Sequence, residues 1–87
     1  MLKDVVAVEP LDGLRLKIRF EDGLEGSVDL ADLGPLEGVF APLRDPAEFR
    51  RVSVNRELGT VIWPSGADLD PDMLYAKIAG RPLGRVA

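Results

Sequence analysis

Apolar and charged residues alternate strictly along one stretch: Leu14, Leu16, Ile18 and Phe20 interleave with Arg15, Lys17, Arg19 and Glu21. Period two marks a strand with one face buried. A second alternation follows, with Leu24, Gly26, Val28 and Leu30 set between Glu25, Ser27 and Asp29. The residues between the two runs decide the pairing. A two-residue Asp22-Gly23 loop would oppose Glu21 to Leu24 and put a charge on an apolar face. A three-residue Glu21-Asp22-Gly23 loop pairs Phe20 with Leu24 instead, with Gly23 in the left-handed position such loops need. That register sets Leu16 against Val28 and Leu14 against Leu30 on the inner face, and Arg19 against Glu25 and Arg15 against Asp29 on the outer face. The same x-Asp-Gly form at Leu11-Asp12-Gly13 predicts pairing of Val8 with Leu16 and of Val6 with Ile18. Strands near 2–9, 14–20 and 24–29 therefore form a meander.

From Leu30 to Leu43 the alternation stops. Gly34-Pro35, Gly38 and Pro42 punctuate a stretch that keeps Leu33, Leu36, Val39, Phe40 and Leu43, which reads as a packed connection rather than a linker. Asp45-Pro46-Ala47-Glu48 is a helix start, with Asp45 as N-cap, Pro46 at the first helical position and Glu48 as the capping-box acid. Val52-Ser53-Val54 and Thr60-Val61-Ile62-Trp63 read as strands, and Pro64-Ser65-Gly66 ends the second. Asp70-Pro71-Asp72 opens a further helix whose Leu74 and Ile78 face the sheet and whose stop falls at Gly80. The order β-β-β-α-β-β-α is α+β: an antiparallel meander of about five strands with one short helix and one C-terminal helix packed on it. Residues 1–80 form the single domain, and residues 81–87 are expected to be a flexible C-terminal tail.

Composition closes off much chemistry. The 87 residues include no cysteine and no histidine. That excludes disulfides, cysteine–zinc and iron–sulfur sites, thiol nucleophiles, imidazole bases and Ser-His-Asp triads. Eleven Lys+Arg against 15 Asp+Glu leave a net charge of −4. An acidic domain neutralises phosphates poorly, so direct nucleic-acid binding by this chain alone is not expected. Hydrophobic residues at 46% and charged residues at 30% are those of a globular domain. The start, Met1-Leu2-Lys3-Asp4 followed by only Val5 to Val8 before Glu9-Pro10, does not resemble a signal peptide. No apolar run approaches the ~18 residues that span a bilayer. A cytoplasmic protein without a membrane partner is expected. Domains this small are marginal alone, so a protein partner or a homo-oligomer is expected as well.

The run from Trp63-Pro64-Ser65-Gly66-Ala67-Asp68-Leu69 to Asp70-Pro71-Asp72-Met73-Leu74-Tyr75 resembles the closing motif of the Domain of Unknown Function 2442 family. Leu16 to Gly23, Val28-Asp29-Leu30 and Val39-Phe40-Ala41-Pro42-Leu43 with Phe49 also fit that family. The resemblance covers about residues 2–80 and implies a small bacterial protein without an established activity. Some members carry a helix-turn-helix domain after this one, which implies a regulatory role. Others are encoded beside another small protein and are proposed as antitoxins.

Several constellations admit a sharp and a plain reading. Asp68, Asp70 and Asp72 are spaced like the first three ligands of a calcium loop, but Met73 and Ala79 stand where Gly and Glu are required, so helix capping is the reading and no metal is expected. Ser27, Ser53 and Ser65 lack a base to activate them, and no phosphate loop is present. No enzyme and no cofactor are expected. Arg15, Lys17 and Arg19 form a basic row that Glu25 and Asp29 balance. Trp63 is either a binding-loop residue or a core residue before a tight turn, and Tyr75, next to Leu74, lies at the rim of the helix with its hydroxyl in water or on a partner. Arg50, Arg51 and Arg56 cluster about the fourth strand. The candidate interaction surface is therefore Trp63, Ser65, Tyr75, Arg50, Arg51 and Arg56. The expected function is a non-enzymatic protein-interaction module, antitoxin-like in its specific form, acting by surface occlusion or edge-strand pairing. The alternative is a small-ligand-sensing or regulatory domain with an apolar pocket near Trp63 and Tyr75.

Overall fold

The computed structural model describes residues 3–86, with side chains described for residues 3–80. Strands β1 (Val5–Leu11), β2 (Arg15–Phe20) and β3 (Glu25–Asp29) form an antiparallel sheet in the order β1-β2-β3. Two 3-10 segments, Leu30–Leu33 and Gly38–Arg44, lead to the one-turn helix α1 (Pro46–Phe49). Strands β4 (Ser53–Asn55) and β5 (Thr60–Ile62) form a separate two-stranded sheet, and α2 (Pro71–Val86) follows. The class is α+β with antiparallel strands, as the pattern predicts. The strands divide into two sheets, joined where the Val5 N–H donates to the Gly59 carbonyl at 2.9 Å.

The β2–β3 hairpin has the predicted register: Leu16 opposes Val28, Arg15 opposes Asp29 and Arg19 opposes Glu25. The Phe20 N–H donates to the Leu24 carbonyl at 2.8 Å across the three-residue loop, and Gly23 has φ +93°. The outer-face charges pair differently from the expectation. Asp29 accepts from the Ala31 N–H at 2.9 Å and so caps the first 3-10 segment, while the Arg15 Nε–H donates to the Asp12 carbonyl at 3.0 Å. Glu25 pairs diagonally with Lys17 at 3.8 Å.

The β1–β2 register differs by two residues from the predicted one. Val8 opposes Ile18 and Pro10 opposes Leu16. The cause is the turn, which takes in Leu14 and so comprises Asp12-Gly13-Leu14, with φ +59° at Leu14. A non-glycine residue there costs about 1–2 kcal/mol. A bulge between Val5 and Ala7 then brings Val5 opposite Phe20 and into the core, and leaves Val6 exposed.

Leu16, Ile18 and Phe20 of β2, Val28 of β3, Val61 of β5, Trp63, and Leu74 and Ile78 of α2 share one apolar core. Asp45 caps α1 by accepting from the Ala47 N–H at 3.0 Å. Glu48 does not close the predicted capping box, because the Asp45 N–H donates to the Pro42 carbonyl and Glu48 pairs with Arg51 at 3.5 Å. Asp70 caps α2 as predicted, accepting from the Asp72 N–H at 2.9 Å. The helix does not stop at Gly80, since Gly80 is not among the glycines with the left-handed φ that ends a helix, and glycine within a helix costs only about 1 kcal/mol. The side chains of residues 81–86, and all of Ala87, lie outside the described residues, and with them the expected flexibility of that segment.

Gly26 of β3 lets α2 approach the sheet. A Cβ there would lie 2.7 Å from Cγ2 of Ile78. The Gly26→Ala variant is therefore expected to lose about 1–3 kcal/mol to overpacking, although alanine would otherwise suit a strand better than glycine. Urea denaturation checks this. The double variant Gly26→Ala with Ile78→Ala is expected to lose less than the sum of the two singles, because the second change removes the atoms that clash.

Candidate functional site

The segment that carries the most distinctive residues folds as a tight turn. The Trp63 N–H donates to the Ala67 carbonyl at 2.9 Å and the Gly66 N–H to the Trp63 carbonyl at 3.0 Å, with φ +100° at Gly66. The Phe20 to Leu24 turn has the same pair of bonds and the same glycine position. The chain then runs back beside β5: Asp68 bridges Ile62, and the Thr60 hydroxyl donates to the Leu69 carbonyl. This geometry buries Trp63, Ala67 and Leu69 on one side and exposes Pro64, Ser65, Asp68 and Asp70 on the other.

The six residues singled out from sequence engage different parts of this framework. Trp63 is a core residue, 2% exposed, whose indole N–H donates to the Phe49 carbonyl at 2.9 Å. Its ring lies 6.2 Å from that of Phe49. Ser65 is exposed at the tip of the turn. Arg50 pairs with Asp12 at 3.7 Å and Arg51 with Glu48 at 3.5 Å, both at exposed positions, so these two guanidinium groups find acids within the chain. Arg56 lines a shallow surface groove with Asp4, Val6 and Glu21.

Tyr75 is half-buried, and its hydroxyl has an acceptor within the chain. It donates to Asp22 in the β2–β3 turn at 2.6 Å, and its ring meets Phe20 edge-on at 4.9 Å. The Tyr75 hydroxyl, and then the Leu24 N–H, hold the Asp22 carboxyl below its usual range. The same hydrogen bond pushes the Tyr75 phenol up.

One apolar pocket has neither Trp63 nor Tyr75 in its lining. It is a surface cleft of about 150 Å³ between the 30–40 connection and the start of α2. Leu30, Leu33, Leu36, Phe40, Leu69 and Met73 line it together with Gly34-Pro35, and the exposed Asp68 and Asp70 complete it. Of the large apolar residues from Leu30 to Leu43, only Leu30 and Leu43 are buried. Leu33, Leu36 and Phe40 are half-buried, and Val39 is 49% exposed. The sequence signal for this cleft is the apolar density of the connection, which exceeds what so short a stretch can bury beneath itself. The arrangement offers a concave apolar wall with carboxylates beside it.

The chain belongs to the family described as protein of unknown function (DUF2442), whose family model matches residues 5–80. No curated protein and no solved structure matches it. No helix among the described residues is long and apolar enough to cross a membrane.

The Tyr75–Asp22 bond gives a pH-dependent link between α2 and the sheet. A carboxyl whose folded pKa is depressed stabilises the fold above its unfolded value and loses that contribution as pH falls through the folded one. The Tyr75→Phe variant is expected to melt below the parent at neutral pH. That gap is expected to narrow as pH falls below 3.8, the ordinary value for Asp22. Thermal melts of both proteins across that range check it.

Proposed function

We propose that this chain is a non-enzymatic, cytoplasmic protein-interaction module, and that its partner seats on the cleft between the 30–40 connection and α2. The observation that carries the reading is the uncovered apolar wall: Leu33, Leu36, Phe40 and Met73 line the cleft and are each only half-buried. Covering such a wall gains about 25 cal/mol for each Å² of apolar surface removed from water. A chain with neither histidine nor cysteine lacks the commonest general base and the commonest activated thiol, which supports a role without catalysis. The specific form we propose is the antitoxin-like component of a bacterial pair, in keeping with the roles suggested for members of the family.

Surface occlusion fits better than edge-strand pairing. Pro10 removes a donor from β1, and the first residue of that strand already bonds Gly59. The outer face of the three-stranded sheet is also a weaker candidate, because its Arg15-Lys17-Arg19 row is flanked by Glu9, Glu25 and Asp29.

A small-ligand regulatory role is the second reading, favoured by the apolar lining of the cleft. Its volume of about 150 Å³ limits the ligand to roughly one ring, well below the ~300–1,000 Å³ of most small-molecule sites.

A photo-crosslinking residue placed at Pro35, which is exposed in the lining of the cleft, in the chain expressed in its own cells, is expected to give one discrete protein adduct. The same residue at Glu9 is expected to give none. Equal adducts at the two positions, or none at Pro35, would remove the interaction reading. A rise in melting temperature with toluene, in the absence of an adduct, would move the site to the ligand reading.

A further inference from the structure

We infer that the segment seated in this cleft presents one aliphatic or aromatic side chain flanked by lysine or arginine, a deduction that rests on the cleft being the interaction surface. Two features of the site lead there. The first is size: a cavity of about 150 Å³ is that of a single benzene-sized group, so one Leu, Ile, Met or Phe side chain fills it.

The second is charge. The two stretches that build the cleft, 30–40 and 68–73, carry Asp32, Glu37, Asp68, Asp70 and Asp72 and no Lys or Arg. The rest of the chain carries eleven Lys and Arg against ten Asp and Glu. The net charge of −4 is therefore a property of this one region, and the remainder is close to neutral. Asp70 and Asp72 sit at the N-terminus of α2, where the positive end of the helix dipole offsets part of their charge. Lys77 borders Asp32 in the neighbouring groove without closing an ion pair. Asp68, exposed in the lining of the cleft, has no such counterweight among the described residues. An apolar floor lined by Asp68 and the partly offset Asp70, in a region without Lys or Arg, selects a partner segment whose anchor is apolar and whose neighbours are cationic, and it disfavours an acidic one.

The test uses the full chain, labelled with nitrogen-15, and three short blocked peptides: leucine between paired lysines, serine between paired lysines, and leucine between paired glutamates. The first peptide is expected to shift the amide signals of residues within 30–40 and 68–73, and the other two are expected to leave them in place. Its affinity is expected to fall at least about threefold between about 0.02 and 0.2 M salt. The Asp68→Asn variant, which leaves the Asp70 cap intact, is expected to weaken it about two- to fivefold, the range for an exposed charge pair. Equal binding of the glutamate or the serine peptide, or no shift with any of the three, would overturn the inference. The Pro35 adduct separates the two failures: an adduct without peptide binding leaves the interaction module standing and removes only its assigned partner chemistry.

Discussion

The burial of Trp63 is the constraint from which the rest of the architecture follows. An indole carries a large apolar surface and one donor, and a buried donor must be satisfied. The Phe49 carbonyl satisfies it, which ties the end of α1 to the strand that leads into Trp63. The backbone of the same residue closes the turn to Ala67, so one residue fixes both the position of α1 and the direction in which the chain returns. The return strand places Leu69 in the core and Asp70 at the start of α2. Ile78, two turns along that helix, then reaches the sheet over Gly26. The residues from Trp63 to Asp70 thus act as framework: they aim α2.

The cleft is what this framework leaves uncovered. With α2 directed across β3, the 30–40 connection lies beside its first turn, and Met73 faces Leu33, Leu36 and Phe40 across a gap that nothing in the described chain fills. The connection is anchored at its ends by the buried Leu30 and Leu43, and its start is capped by Asp29. Its middle therefore keeps apolar side chains at the surface without being a loose loop. A held, partly exposed wall differs from a flexible one in that less conformational entropy is lost when it is covered.

How much of this was legible in the sequence depends on whether local signals agreed. The β2–β3 register was legible because alternation and turn chemistry both required Phe20 to oppose Leu24. The β1–β2 register was not, because the left-handed conformation of Leu14 and the bulge at Val6 answer to the fit of β1 on the core rather than to their own side chains. The opposition of Arg15 to Asp29 was legible, but the ion pair was not, since Asp29 serves as a cap and pattern alone does not rank the two uses. Both helix caps at Asp45 and Asp70 were legible from their Asp-Pro pairs, whereas the continuation of α2 past Gly80 was not. Trp63 read equally as a core or a surface residue until its indole partner was visible. The cleft was the least legible feature: Leu33, Leu36 and Phe40 looked like packing, and only the tertiary structure shows that they are left half-uncovered.

The Trp63–Tyr75 segment serves as framework, and the proposed interaction falls to the less distinctive connection before it. Hydrogen exchange on the chain purified together with its partner, set beside the isolated chain, tests that assignment most directly. The account predicts that added protection falls on residues 30–40 and 68–73 and leaves β1 and the outer face of β2 unchanged. Protection along β1 or over Lys17 and Arg19, with the cleft segments unaltered, would contradict it.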